Sequence, residues 1–333
     1  MILNPAIIAL LGSALLTVGV AVYACVLGAR IVTAWDLASG SSLQLRLERQ
    51  TYLISTIMAW LMGIEIFSLF LLIYTADYIH PTFVGAMCAA GTFNVNGYGY
   101  PALVVKIVSV IACGVWMMVN QADNQAEDYP LIHIKYRLLF AITGILATGA
   151  VLLILYFKGL RADIITSCCG TLFSSETRSI AGDIAALPVR YTRILFFVCA
   201  VLHVRASVHL LATGRGGRVL GWVSGVYFVV GLAAVISFIS VYYYELPTHH
   251  CPFDILQSGY HYIGYPLYAG LFGFAVVGLG IGVLDRFGNV PSLAAVVPAM
   301  QRHYAWIGLA ASILVLAIAL YPMLFSSFTL AAP

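Results

Sequence analysis

An all-α, polytopic transmembrane bundle of about eight spans is the fold this sequence predicts, and three observations predict it. Of 333 residues, 62% are hydrophobic and 9% charged, and mean hydropathy is +0.98, whereas a soluble domain carries about a quarter charged residues. The apolar residues gather into runs of about 20 or more, the length a helix needs to cross hydrocarbon. The longest connection, 158–190, has no room for a separate soluble domain. The chain 1–333 therefore reads as a single transmembrane domain.

The spans fall at 6–34, 52–78, 101–120, 137–157, 191–212, 219–243, 263–284 and 304–325. The first is a retained span rather than a signal, because Met1 to Pro5 has no basic residue and the apolar run to Ala34 exceeds a signal core. The second carries Glu65 near its centre. The third starts behind the Gly/Tyr segment Gly97-Tyr98-Gly99-Tyr100-Pro101 and holds Lys106 close enough to its end to snorkel outward. The fourth follows Lys135 and Arg137, and the fifth is the most polar, with Cys199, His203, Arg205 and His209. The sixth follows Arg215 and Arg218, the seventh is glycine-rich, and the eighth follows Arg286 and Arg302.

Lys and Arg mark the cytoplasmic side of such a chain. They occupy alternate connections, with Arg30, Arg46 and Arg49 in the first. The loops 79–100 and 244–262 have neither residue, while 158–190, on the same side, has four. Both termini are then exoplasmic, and the membrane is the cytoplasmic (inner) membrane of a prokaryote. No basic aromatic patch points to nucleic acid and no phosphate-binding motif to a nucleotide. The expected surroundings are lipid and other protein subunits, some of them exoplasmic.

Four of the seven cysteines, Cys88, Cys168, Cys169 and Cys251, fall in the three exoplasmic loops and none in a cytoplasmic one. An oxidising exterior allows disulfides there, and a thiolate is also a soft metal ligand. The run His249-His250-Cys251 adds imidazoles, which with a thiolate suit copper or zinc. His249, His250 and Cys251 are thus the metal candidates, and Cys88, Cys168, Cys169, Cys251, His249 and His250 the thiol or metal set. Structural disulfides, a thiol relay and a metal or haem edge all remain open. Without C-x-x-C-H, covalent haem attachment is not expected.

The segment Cys251-Pro252-Phe253-Asp254 resembles the active-site motif of quinone-linked membrane thiol oxidases of the vitamin K epoxide reductase type. In that motif a second cysteine stands where this chain has Asp254, and those families have fewer spans. The likeness covers four residues and does not establish membership.

Charged groups at mid-bilayer face a partner or a water-filled cavity. Glu65, His203, Arg205 and His209 are the intramembrane candidates, with Glu65 and Arg205 at matching depth and expected to pair. His203 and His209 are six residues apart, so they do not face one haem iron. The leading expectation is an integral membrane subunit whose outer-face Cys/His cluster handles redox, thiol or metal chemistry within a larger complex. Copper, zinc, haem and quinone are the candidate cofactors. The alternatives are a transporter component with structural disulfides, and a non-catalytic anchor or assembly subunit.

Overall fold

The computed structural model describes residues 3–166 and 188–330. Among them no strand occurs, and eight helices are long and apolar enough to cross a membrane. They are α1 (Pro5–Ala34), α2 (Ser42–Tyr78), α3 (Gly99–Asn124) and α4 (Ile132–Lys158). After residues 167–187 follow α5 (Val189–Thr213), α6 (Gly217–Tyr244), α7 (Gly264–Leu284) and α8 (Val296–Phe325). This is the architecture of a multi-pass membrane protein, and the expected spans recur with their ends extended by up to about two or three turns.

The ends extend because backbone hydrogen bonding and caps continue a helix beyond its apolar stretch. Asn4 caps α1 by accepting from the Ala6 amide at 2.9 Å, with Pro5 at the first helical position. The end of α5 is set by Gly214, whose left-handed φ of +68° costs glycine little.

The helices fall into two compact units. One comprises Met1–Ile73, Asn96–Leu160 and Val283–Met300. Its interior holds Ile31, Met58, Met62, Trp116, Tyr136 and Leu139 from α1 to α4. A buried polar face of α3 runs through it: Lys106, Ser109, Cys113, Asn120 and Asp123. Two ion pairs lie on that face, Lys106 to Glu65 at 2.6 Å and Asp123 to Lys135 at 2.6 Å, all four side chains no more than 5% exposed.

The other unit comprises Tyr74–Val95, Arg161–Gly282 and Gln301–Pro333. Within it α6 and α7 touch backbone to backbone. A methyl group added at Gly221 would stand 2.8 Å from the Gly282 Cα, and one added at Gly278 would collide with Ser224. In lipid, where apolar burial does not drive helices together, such small-residue contacts and their dispersion attraction do.

Candidate thiol and carboxylate site

Two loops of the second unit build the site. The first follows α2. A short 3-10 turn, His80–Thr82, has Pro81 as its second residue, and Gly85 reverses the chain with φ +86°. The chain then enters a short helix, Ala89–Phe93, all of it buried, with Cys88 as its extended N-cap. Thr166 fastens this loop from outside, its amide donating to the Val84 carbonyl and its hydroxyl to the Gly91 carbonyl.

The second loop follows α6. Glu245 ends that helix in the left-handed region, and the chain turns twice more through 3-10 segments Asp254–Leu256 and Ser258–Tyr260. Tyr244 organises it: its hydroxyl donates to the Cys251 carbonyl at 2.6 Å and accepts from the Ile255 amide at 2.8 Å. Tyr268 of α7 donates to the Pro252 carbonyl at 2.7 Å. His261 and Tyr262 both have positive φ, 54° and 56°, a conformation unfavourable for side-chain-bearing residues by about 1–2 kcal/mol each. The surrounding bonds hold them there.

Gln257 joins the two loops. Its amide donates to Asp77 Oδ1 at 3.0 Å and to the Met87 carbonyl at 3.3 Å, while the same Asp77 oxygen accepts from the Ala89 amide at 3.2 Å. The rings of Phe93 and Phe253 meet beside this junction, tilted by 47° with centroids 5.7 Å apart. Clamped this way, Cys88 and Cys251 bring their sulfurs to 3.5 Å, both fully buried. A disulfide would hold sulfurs at about 2.05 Å, so the pair is in contact and unbonded; no disulfide occurs among the described cysteines.

Asp254 completes the cluster. Its Oδ1 accepts from the Cys251 thiol at 3.3 Å and its Oδ2 from His249 Nε2 at 2.6 Å. Burial alone pushes this carboxyl up, but hydrogen bonds from His249, Cys88 and Cys251 outweigh it and hold the group below the ordinary carboxylate value. The donor atoms of Cys88, Cys251 and Asp254 all lie within 4.8 Å of one another. Chemically this is a thiol pair with a charged proton acceptor attached, itself steadied by an imidazole.

The expected residues thus divide. Cys88, Cys251 and His249 converge. His250 does not, because its Nδ1 donates instead to the Ile236 carbonyl at 3.0 Å, in the π-helical turn Val235–Ile239 of α6. Cys168 and Cys169 lie outside the described residues. Asp254, Asp77 and Gln257 were missed as site residues. The signal for Asp254 was its place three residues after Cys251, where the chain bends through Pro252 and Phe253 and enters the 3-10 segment Asp254–Leu256.

The intramembrane candidates also separate. Glu65 pairs with Lys106 and not with Arg205, and Lys106 is buried rather than snorkelling. The reason is register: Lys106 sits on the inward face of α3 with Ser109 and Cys113. Arg205 and His209 are on the exposed side of α5. His203 is buried against the stacked rings of Tyr227 and Phe274, at 5.7 and 5.1 Å, with no hydrogen-bond partner for either ring nitrogen among the described residues. Comparison of the chain with protein-family models, with curated proteins and with solved structures finds no match.

Proposed function

We propose that this chain is an integral membrane subunit whose Cys88–Cys251 pair cycles between dithiol and disulfide on the outer face of a prokaryotic cytoplasmic membrane. The single observation that carries the reading is the 3.5 Å approach of two sulfurs from loops 163 residues apart, with a carboxylate already accepting from one of them. The orientation rests on charge: both cysteines come from the two connections devoid of Lys and Arg. Oxidation joins the two sulfurs and releases two protons and two electrons. Asp254 takes the Cys251 proton and His249 leads from it towards the partly open rim, where their side chains are 13% and 23% exposed. A membrane quinone, becoming a quinol, takes up the two electrons and two protons, and a quinol gives them back when the disulfide reopens.

Work within a larger complex fits Arg205. It lies eight residues from the end of α5, about 12 Å deep at the helical rise, on the exposed side of the helix, where lipid disfavours a charge. The test of the main reading is a redox titration of the purified protein with mass-spectrometric peptide mapping. A reversible two-electron transition that links Cys88 to Cys251 supports it. Thiols that stay unlinked under mild oxidation sink it.

A transporter reading has its own observation, the two buried ion pairs on one face of α3. It gains if Cys88→Ser and Cys251→Ser leave cellular function intact while Glu65→Gln abolishes it.

A further inference from the structure

We infer that in the reduced protein Cys88, Cys251 and Asp254 form a three-ligand site for a zinc-class divalent cation, with His249 as the residue that positions Asp254 and a fourth coordination place left open. The inference rests on the reading that this cluster is the working centre, and it names what the reduced thiols hold.

Size is the first argument. Zinc binds thiolates at about 2.3 Å and carboxylate oxygens at about 2.0–2.2 Å in a tetrahedron. That geometry sets two sulfurs about 3.8 Å apart and a sulfur and an oxygen about 3.5 Å apart. The observed separations are 3.5 Å for Cys88 to Cys251 and 3.3 Å for Cys251 to Asp254. On these two edges, loading the ion needs outward shifts of a few tenths of an ångström, and the third donor pair, Cys88 with Asp254, lies within 4.8 Å. Closing a disulfide needs the sulfurs to approach by well over 1 Å.

Donor chemistry is the second. Two thiolates exclude the hard cations calcium and magnesium, and a carboxylate third ligand suits a borderline divalent ion better than monovalent copper. Burial is the third. Both sulfurs are fully buried, which bars another protein's disulfide from reaching them, whereas the third ligand, Asp254, has its side chain 13% exposed. His249 has its Nε2 on the outer carboxylate oxygen, the outer-shell arrangement that fixes a metal-bound carboxylate. Binding replaces the two thiol protons: two thiols, one carboxylate and one divalent cation give the complex and two released protons. Metal loading and disulfide formation use the same sulfurs, so each excludes the other.

Cobalt(II) is the probe, because its thiolate complexes absorb in the near ultraviolet. The full chain, purified in detergent, reduced and stripped with chelator, is titrated with Co2+ and then with Zn2+. The expected result is one Co2+ bound with release of two protons and a two-thiolate charge-transfer band, the ion then being displaced by Zn2+ with no further proton release. The band is lost in Cys88→Ser and Cys251→Ser, and His249→Ala weakens binding by about 10–100-fold while keeping the band. Because the cysteine variants can fail to fold, the oxidised wild type serves as a second control: it should bind no Co2+ until reduced. No stoichiometric binding by the reduced protein, or a thiolate band that survives Cys251→Ser, overturns the inference. If the reversible Cys88–Cys251 disulfide forms but Co2+ does not bind, the inference falls and the dithiol reading stands. If Co2+ binds through both thiolates but no disulfide forms on oxidation, the dithiol reading falls and the metal site stands.

Discussion

The ammonium of Lys106 lies 2.6 Å from the carboxylate of Glu65, and both side chains are almost wholly enclosed. Ser68 adds a second contact, its hydroxyl 3.4 Å from the other carboxylate oxygen. Losing one member of a buried pair leaves the other charge uncompensated, at a cost of about 3–5 kcal/mol. Glu65→Gln should therefore lower the unfolding midpoint in detergent far more than Glu65→Gln combined with Lys106→Met. Equal losses in the single and double variants would show that the charges are not coupled.

The contact between α6 and α7 should be intolerant of a single methyl group. Gly221→Ala forces its new carbon against the Gly282 backbone at 2.8 Å, and overpacking of this kind costs about 1–3 kcal/mol. Gly63→Ala meets nothing within 4 Å and should be neutral or raise stability by up to about 1 kcal/mol, since alanine favours helix. Thermal unfolding of the two variants side by side reads the difference.

Asp254 gives a pH dependence of definite sign. Its carboxyl is held below the ordinary 3.8, so the folded state binds its proton less readily than the unfolded chain does. The stabilisation is complete above 3.8 and disappears as pH falls through the lower folded value. The stability gap between wild type and Asp254→Asn should still be present at about pH 5 and be lost only in stronger acid. A gap that closes near neutral pH would contradict the hydrogen bonding described for this carboxylate.

Gln257 should control access to the thiols. Gln257→Ala removes its bonds to Asp77 and to Met87, worth about 1–2 kcal/mol together. The expected outcome is faster alkylation of Cys88 and Cys251 in the folded protein. An unchanged labelling rate would mean that the loops are held together without this clamp.

The orientation is tested by cysteines introduced one at a time. Glu127→Cys and Arg215→Cys should be shielded from a membrane-impermeant reagent in intact cells, because both replace residues of Lys/Arg-bearing connections. Labelling of both from outside would reverse the topology and place the Cys88 loop in the cytoplasm.

The spans were legible because their signal is local and repeated: apolar runs such as 137–157 state their own length and type. Cys88, Cys251 and His249 were legible as chemistry, since topology alone put their loops on one side. Their mutual distance was not, because it depends on Gln257 reaching Asp77, a contact across 180 residues with no sequence signature. Asp254 was hidden for another reason. In a two-cysteine motif its place belongs to a second thiol, whereas here its own carboxylate reaches the Cys251 sulfur at 3.3 Å. The partner of Glu65 was misjudged because depth along a helix says nothing about rotation around it. Lys106 wins by facing inward.

The sulfurs of Cys88 and Cys251 are neighbours in space and 163 positions apart along the chain. A bond between them would close a ring of backbone that contains α3, α4, α5 and α6 in full. In the chain-entropy view, tying off a ring of that size removes so much freedom from the unfolded ensemble that the folded state gains about 5 kcal/mol. A two-electron event at one small cluster would thus be felt as resistance to unfolding by half of the molecule.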